Sequence, residues 1–403
     1  MRYYGFLQQP ARNARGVHSL FDYAYRLQTT AASQVGGLTE SQASFLRRFR
    51  EKLAKDGDKS PNIDPSHNSP QKSQAFQNTT IKRGINPLPS WLKLKIPKGA
   101  SEYPNYVKIR NQLREKNLAT VCQEAKCPNI GECWGGAQSS DGNFYGATAT
   151  IMMMGKECTR GCRFCSIKTT AKPEALDPKE PEKIAQALQE LSVDYIVITM
   201  VDRDDLADGG AEHVAKTIAL IRRTNPSLYL EFLVGDFKGS QTSVQKVASS
   251  GLHVYAHNIE TVERLTPRVR DRKASYSQSL NTLRWAKEAC QPTGASEAQQ
   301  LPEGLPRLFT KSSIMVGLGE TPEEVLQTMR DLRANDVDFL TLGQYLQPDL
   351  NRMRVSRYLE QEEFDFFKEE GEKMGFRYVA SGPLVRSSYK AGELFIRKIL
   401  KGE

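Results

Sequence analysis

Cys122, Cys127 and Cys133 form an upstream triplet with the spacing C-x4-C-x5-C, and Cys158, Cys162 and Cys165 form a downstream triplet with the spacing C-x3-C-x2-C. Six of the seven cysteines in the chain thus fall between residues 122 and 165. Thiolate is the soft ligand preferred by iron–sulfur centres and by zinc. Three thiolates on a four-iron cubane leave one iron open to another ligand. Structural zinc takes four ligands; neither triplet has a local fourth, and none of the five histidines lies between His67 and His213. An odd cysteine count with this clustering in a long chain does not read as a disulfide framework. Cys290, at the expected end of a helix, reads as an ordinary thiol.

The downstream triplet reads Cys158-Thr-Arg-Gly-Cys162-Arg-Phe-Cys165 and follows the apolar run Ala149–Met154. That run is a buried strand in expectation, and Gly155 begins the loop after it. A short loop at a strand's carboxyl end can wrap three thiolates around one cluster, with Phe164 shielding it from water. This segment resembles the defining motif of the radical S-adenosylmethionine superfamily. The resemblance implies that the open iron is chelated by the cofactor's amino and carboxylate groups. An electron from the cluster then cleaves the sulfonium to give a 5′-deoxyadenosyl radical. The cofactor carries the hard chemistry, and the protein orients it and keeps it dry.

Within that superfamily the chain resembles the lipoyl synthase family over roughly residues 85 to 400. Both triplets carry the likeness, together with Val201-Asp-Arg-Asp-Asp205, Asp208-Gly-Gly-Ala-Glu-His213, Tyr255-Ala-His-Asn258, Leu342-Gly-Gln-Tyr345 and Arg386-Ser-Ser-Tyr389. The resemblance implies two 4Fe–4S clusters. The auxiliary one would be held by Cys122, Cys127, Cys133 and the hydroxyl of Ser388, with Ser388 and Arg386 as catalytic residues. A serine oxygen is a hard, displaceable ligand, which suits a cluster that is consumed as sulfur donor. The implied reaction inserts sulfur at carbons 6 and 8 of an octanoyl chain on a carrier-protein lysine, using two S-adenosylmethionine molecules per lipoyl group. No acid or base can deprotonate such a carbon, which agrees with the lack of a catalytic triad or carboxylate pair. Implied partners are the octanoylated lipoyl carrier domains of 2-oxoacid dehydrogenase complexes and the glycine cleavage H protein. An electron donor such as ferredoxin and iron–sulfur carrier proteins are implied as well. The chain departs from the family pattern at Met200, where a small hydroxyl residue is expected, at Gly235, where proline is usual, and in the inserted segment 137–145.

The net charge of +9 is concentrated in the leader: residues 1–60 hold ten Lys/Arg and five Asp/Glu. Nucleic-acid binding therefore gains little support, although a positive surface can guide an acidic carrier domain. No apolar run is long enough to span a membrane. Residues 1–39 hold four arginines, no lysine and one acid, Asp22. That composition suits a mitochondrial transit peptide and a matrix location. Residues 40–84 form a leader with a helix expected over Ser41–Lys55 and a polar, proline-bearing linker after it.

Residues 85–146 are an N-terminal extension carrying the upstream triplet, and 351–403 a C-terminal extension. Between them, over 147–350, strands alternate with helices. The expected strands are Ala149–Met154, Tyr195–Met200, Leu228–Val234, His253–His257, Thr310–Val316 and Phe339–Leu342. The expected helices are Pro181–Leu191, Ala211–Arg223, Ser243–Ser250, Ser275–Cys290, Pro322–Asn335 and Glu360–Met374, with a loop over Gln291–Arg307. The fold class is α/β. The superfamily resemblance makes it a partial (β/α)6 barrel whose extensions hold the auxiliary cluster. Functional residues belong at the carboxyl ends of the strands. There stand Asp202, Arg203, Asp204, Asn258, Glu260, Gly317-Leu-Gly-Glu320 and Gln344, among which Asp202, Asp204, Asn258 and Glu260 are the candidates for binding S-adenosylmethionine. The alternative for Asp204, Asp205 and Glu260 is structural ion pairing or helix capping. Gly317 and Gly319 would permit close backbone approach to a ligand. A biotin-synthase-like sulfur inserter would explain the downstream triplet alone. An electron-transfer scaffold or a zinc-stabilised binding module would explain neither the α/β barrel nor the open irons.

Overall fold

Strands and helices alternate because the period of the hydrophobic pattern alternates. Tyr195–Met200 is apolar but for Thr199, and every residue except Met200 is buried, as a strand covered on both faces requires. In Ala211–Thr224 the buried residues Ala211, Val214, Thr217, Ile218 and Ile221 recur at helical spacing. The polar residues before the helices stop them from extending. Ser240 and Ser275 each accept a hydrogen bond from the backbone three residues on, and Thr321 and Glu324 form a reciprocal capping box around Pro322.

This computed structural model describes residues 150–190, 195–290 and 306–388 continuously, most of 104–135, the pairs 137–138 and 144–145, and positions 44, 47, 48, 88, 89 and 92. The chain divides into two units, Met1–Asn78 and Thr79–Glu403. In the first, Ser44, Arg47 and Arg48 are helical, inside the helix expected over Ser41–Lys55. The transit-peptide segment, the polar linker and most of the Gln291–Arg307 loop lie outside the described residues.

The second unit is built on one eight-stranded sheet. Its strands are β1 (Ala119–Thr120), β2 (Thr150–Met153), β3 (Tyr195–Met200), β4 (Tyr229–Leu233), β5 (Val254–Ala256), β6 (Phe309–Val316), β7 (Phe339–Gln344) and β8 (Tyr378–Gly382), and they neighbour one another in that order. β1 runs antiparallel to β2, and every other pairing is parallel. α1 (Pro104–Glu115) precedes β1, and α2 (Val121–Glu124) and α3 (Ile130–Gly135) lie between β1 and β2. The crossovers between β2 and β8 carry α4 (Glu180–Glu190), α5 (Ala211–Thr224), α6 (Gln241–Ala248), α7 (Tyr276–Ala289), α8 (Pro322–Ala334) and α9 (Gln361–Lys373), one long helix in each, with a further four-residue helix over Thr266–Val269 between β5 and α7. β1 and β8 stand at opposite edges, so the sheet is open.

The arrangement is the expected partial (β/α)6 barrel with one further strand on each edge. Each expected strand and helix between 149 and 374 is present within two residues of its expected ends. β8 was not expected. Its Tyr-Val-Ala-Ser-Gly sequence buries only Val379 and Gly382, so an edge position leaves it without a clear two-residue period. The segment 137–145 forms a short antiparallel pair, Ala137–Gln138 with Phe144–Tyr145. Inside the sheet, Lys311 on β6 pairs with Glu231 on β4 at 2.8 and 3.0 Å, and the Tyr195 hydroxyl donates to Glu231 at 2.5 Å. These buried polar groups satisfy one another, the condition under which such groups are tolerated.

Candidate functional site

The downstream cysteine loop starts from an unusual backbone turn. Met154 has φ of 66° and Gly155 has φ of 92°, so a side-chain-bearing residue occupies the left-handed region just after β2. Three contacts impose that geometry. The Met154 N–H donates to both carboxylate oxygens of Glu180 at 3.0 Å, and its carbonyl accepts from Arg203 Nη1 at 3.3 Å. Glu180 is steadied by His213 Nε2 at 2.8 Å. Asp208 caps α5 through the N–H groups of Gly210 and Glu212 at 2.9 and 2.7 Å. A Cβ on Gly210 would lie 2.4 Å from Met154 Sδ. The Asp208–His213 motif therefore aims the cysteine loop.

Along that loop, Glu157–Cys158 pairs in parallel with Lys168–Thr169. The Arg160 N–H donates to Cys158 Sγ at 3.4 Å, and the Asp271 N–H donates to Cys162 Sγ at 3.3 Å. The Cys165 thiol lies within electrostatic reach of both other thiols. Burial pushes Cys158 and Cys162 up to about 12 and raises Cys165, against the backbone donors that favour their thiolates. Half-buried thiols held close together with N–H groups aimed at sulfur suit ligands whose protons are displaced by metal. Among the described residues no group of three or more His, Cys, Asp or Glu is gathered closely enough to hold a single ion. The donor set is thiolates and, where needed, a hydroxyl, which fits iron–sulfur rather than a hard cation.

Three acids stand at neighbouring strand ends and share one cation. The buried Arg160 donates to Asp236 at 2.6 and 2.7 Å and to Asp204 at 3.0 and 3.2 Å, and lies 3.7 Å from Asp202. Burial pushes these carboxyls up, but the Arg160 hydrogen bonds win at Asp204, held down at about 2, and at Asp236, also lowered. At Asp202 burial wins over the Arg160 charge and lifts it to about 6. Gly235 makes room for Asp202: a Cβ there would lie 2.2 Å from its Oδ1 and 3.7 Å from the Met200 methyl. The two departures at Met200 and Gly235 are thus spatial neighbours. Asn258 Nδ2 donates to Glu260 at 3.1 Å. Glu260 sits at φ of 70° and is raised by burial.

The expected cofactor-binding residues separate into two groups. Asp202 and Glu260 act electrostatically on the downstream thiols, and Asn258 is bonded to Glu260. Asp204 is engaged by Arg160, Lys273 and Thr159, and Arg203 by Asp205 at 2.7 and 2.8 Å. Gln344 is fully used by its own chain. Its amide donates to the carbonyls of Val316, Tyr345 and Arg357, and its oxygen accepts from the Leu359 N–H at 2.9 Å. Gly317 is needed because Gln344 Nε2 and the Arg357 carbonyl approach within 2.1 and 2.5 Å of where a Cβ would stand. The expected reason, approach to a ligand, is replaced by approach of the chain to itself. Glu320 likewise turns inward, accepting from the Gly317 and Leu318 N–H groups.

The upstream triplet lies on α2, the following turn and α3. The Cys127 N–H donates to the Cys122 carbonyl at 3.0 Å, and the Cys133 N–H to the Asn129 carbonyl at 2.9 Å. Burial raises the Cys127 thiol, opposed by the Asn129 backbone N–H and the Arg386 charge. Arg386 Nη1 donates to the carbonyls of Val385 and Gln344 at 2.8 and 3.2 Å. Asn129 Nδ2 donates to the Leu384 carbonyl at 2.5 Å. Gly343 lets this C-terminal segment lie flat, since a Cβ would be 2.0 Å from the Val385 carbonyl oxygen. The segment bearing the half-buried Ser388 is thereby brought to the upstream triplet. Ser166 Oγ donates to the Glu124 carbonyl at 3.0 Å and joins the two cysteine loops.

A sequence model of the radical S-adenosylmethionine superfamily matches residues 152–332, from β2 into α8. One of the N-terminal domain of lipoyl synthase matches residues 31–127. The chain is 52% identical over 388 residues to a mitochondrial lipoyl synthase of Leishmania infantum, covering 92% of this chain and 90% of that one. It is 54% identical over 360 residues to one of Trypanosoma brucei gambiense, covering 89% and 84%. The chain belongs to the lipoyl synthase family. It is a radical sulfurtransferase that builds the lipoyl group by inserting two sulfur atoms into a protein-bound octanoyl chain.

Sequence reasoning did not single out Arg160, Asp236, Glu180, Asp271 or Asn129. A signal for Arg160 was present: acids at the ends of adjacent strands, Asp202, Asp204 and Asp236, require a buried cation. Glu180 and Asn129 carry no such signal, because the contacts by which they act on the cysteine segments are to backbone groups, the Met154 N–H and the Leu384 carbonyl.

Proposed function

We propose that the two triplets hold two 4Fe–4S clusters with separate tasks. Cys158, Cys162 and Cys165 hold one and leave an iron for S-adenosylmethionine; Cys122, Cys127, Cys133 and Ser388 hold the other. When bound, the former supplies the electron that cleaves the cofactor and the latter supplies sulfur. The chain's own groups do the positioning. The N–H groups of Arg160 and Asp271 offset the charge on two sulfurs. Asp202, Asn258 and Glu260 offer carboxylates and an amide to the cofactor's amino and hydroxyl groups. Asp204 and Asp236 fix Arg160, and Arg160 fixes the loop. Arg386 and Asn129 hold the segment from which Ser388 Oγ, on losing its proton, meets iron.

The observation that carries this reading is the Ser166–Glu124 hydrogen bond at 3.0 Å, which sets the two cysteine loops side by side. A substrate carbon stripped of hydrogen must meet sulfur before it reacts elsewhere, so the two sites must be neighbours. The substrate is the octanoylated lipoyl carrier domain of 2-oxoacid dehydrogenase complexes and of the glycine cleavage H protein. A ferredoxin-type donor supplies electrons, iron–sulfur carrier proteins rebuild the consumed cluster, and the work is done in the mitochondrial matrix. Iron and labile sulfide after anaerobic reconstitution test the ligand sets. About eight irons per chain are expected, falling to about four when either triplet is replaced by alanine. Retention of all the iron in either triple variant would contradict the assignment.

A further inference from the structure

The outer side of the downstream cysteine loop is a rim of unpaired arginines. Three segments meet there: the Arg163 N–H donates to the Val269 carbonyl at 2.9 Å, and the Met353 N–H donates to the Arg163 carbonyl at 3.1 Å. The Asp271 N–H meets Cys162 Sγ at 3.3 Å. These segments carry Arg163, Arg268, Arg272 and Arg354, all exposed. None of the four side chains takes part in an ion pair or hydrogen bond among the described residues, whereas nearby acids are engaged. Asp271 accepts from the N–H groups of Gly161 and Lys273, both at 2.9 Å. Asp349 lies 3.8 Å from Arg352, and Glu157 holds Lys168. Leu350, 58% exposed and one of two exposed large hydrophobic side chains among the described residues, stands four residues before Arg354.

We propose that this rim docks a small acidic one-electron carrier protein. The inference rests on the reading that Cys158, Cys162 and Cys165 hold the reducible cluster. Each cofactor cleavage then needs one electron from outside, two per lipoyl group: each time the carrier's centre is oxidised by one electron and the cluster is reduced by one. Transfer falls steeply with distance, so the donor must sit directly over this loop. Unneutralised arginines match carboxylates on such a partner and speed its encounter. Leu350 supplies an apolar contact within the charged surface. The octanoylated carrier domain is the competing occupant, and its own binding distinguishes the two.

The test uses the anaerobic holoenzyme and its Arg268→Glu/Arg354→Glu variant, with reduced plant-type [2Fe–2S] ferredoxin as probe. Three quantities are measured: ferredoxin affinity against ionic strength, the rate of cluster bleaching, and the KM for an octanoylated carrier domain. In the variant, ferredoxin affinity and the ferredoxin-driven bleaching rate are expected to fall at least about tenfold, with a shallower salt dependence. Bleaching by photoreduced deazariboflavin, which is uncharged, and the KM for the carrier domain are expected to stay unchanged. Unaltered ferredoxin binding would overturn the proposal, as would a raised carrier-domain KM with normal ferredoxin-driven reduction. If deazariboflavin bleaches neither protein, the ligand assignment itself fails and takes the docking site with it.

Discussion

Asn129 and Leu384 are joined by a 2.5 Å hydrogen bond from the Asn129 amide to the Leu384 carbonyl, across most of the sheet's sequence. Asn129 is 2% exposed, and its backbone N–H also serves Cys127. One residue therefore ties a cysteine of the upstream triplet to the segment that ends in Ser388. Asn129→Ala is expected to loosen that segment while leaving the downstream loop intact. Iron should fall from about eight toward about four per chain, with 5′-deoxyadenosine still formed and the dithiolated product reduced at least tenfold. Full iron and full product would show that the bond is dispensable.

Arg160 is the counter-charge that Asp204 and Asp236 share, and among the described residues only Asp204 has a second one, the half-exposed Lys273 at 3.1 Å. Arg160→Met leaves the buried Asp236 without an ion-pair partner and Asp204 with Lys273 alone. Breaking a buried pair from one side costs about 3–5 kcal/mol, so the variant should unfold at markedly lower denaturant concentration. Arg160→Lys keeps the charge but not the fork and should lie between the two. Denaturant curves on the anaerobic proteins decide the ranking; equal stability of all three would remove Arg160 from its structural role.

Gly210→Ala puts a methyl group 2.4 Å from Met154 Sδ, at a φ of 89°. Overpacking of this kind costs about 1–3 kcal/mol, and the atom displaced is the side chain at the root of the downstream loop. Cofactor cleavage should drop more than tenfold, with loss of the iron held there. Unchanged 5′-deoxyadenosine formation would mean that the loop does not depend on the Met154 turn.

Two histidines give the fold a pH dependence of known sign. Burial lowers His253 and His257 to about 4. His253 is neutral in the fold and accepts from the Leu230 N–H at 3.1 Å. Because the folded values lie below the ordinary 6.5, their stabilisation is complete above pH 6.5 and is lost as pH falls toward 4. The loss is at most about 3 kcal/mol for each. His253→Gln should flatten the fall in unfolding free energy between pH 7 and pH 5; a variant with the wild-type slope would assign the dependence elsewhere.

The strand–helix alternation was legible because buried parallel strands are continuous apolar runs and their helices carry stripes. The cysteines were legible from spacing. The residues that aim them were not, since Arg160 finds Asp236 and Asp271 finds Cys162 only once the strands are side by side. Gly317 shows the same limit. A glycine at a strand end reads as room for a ligand, whereas the occupant is Gln344 from the next strand. β8 escaped notice because an edge strand of small residues leaves no periodic trace.

The proposed carbon–sulfur bond formation calls on two clusters acting together. Its most direct measurement is mass spectrometry of an octanoylated carrier domain after anaerobic incubation with reduced, reconstituted protein and S-adenosylmethionine. The carrier is expected to gain two sulfur atoms with wild-type protein and to fall short of two with Ser388→Ala, which should still release 5′-deoxyadenosine. A carrier left at its octanoyl mass by the wild type, or fully dithiolated by Ser388→Ala, would contradict this mechanism.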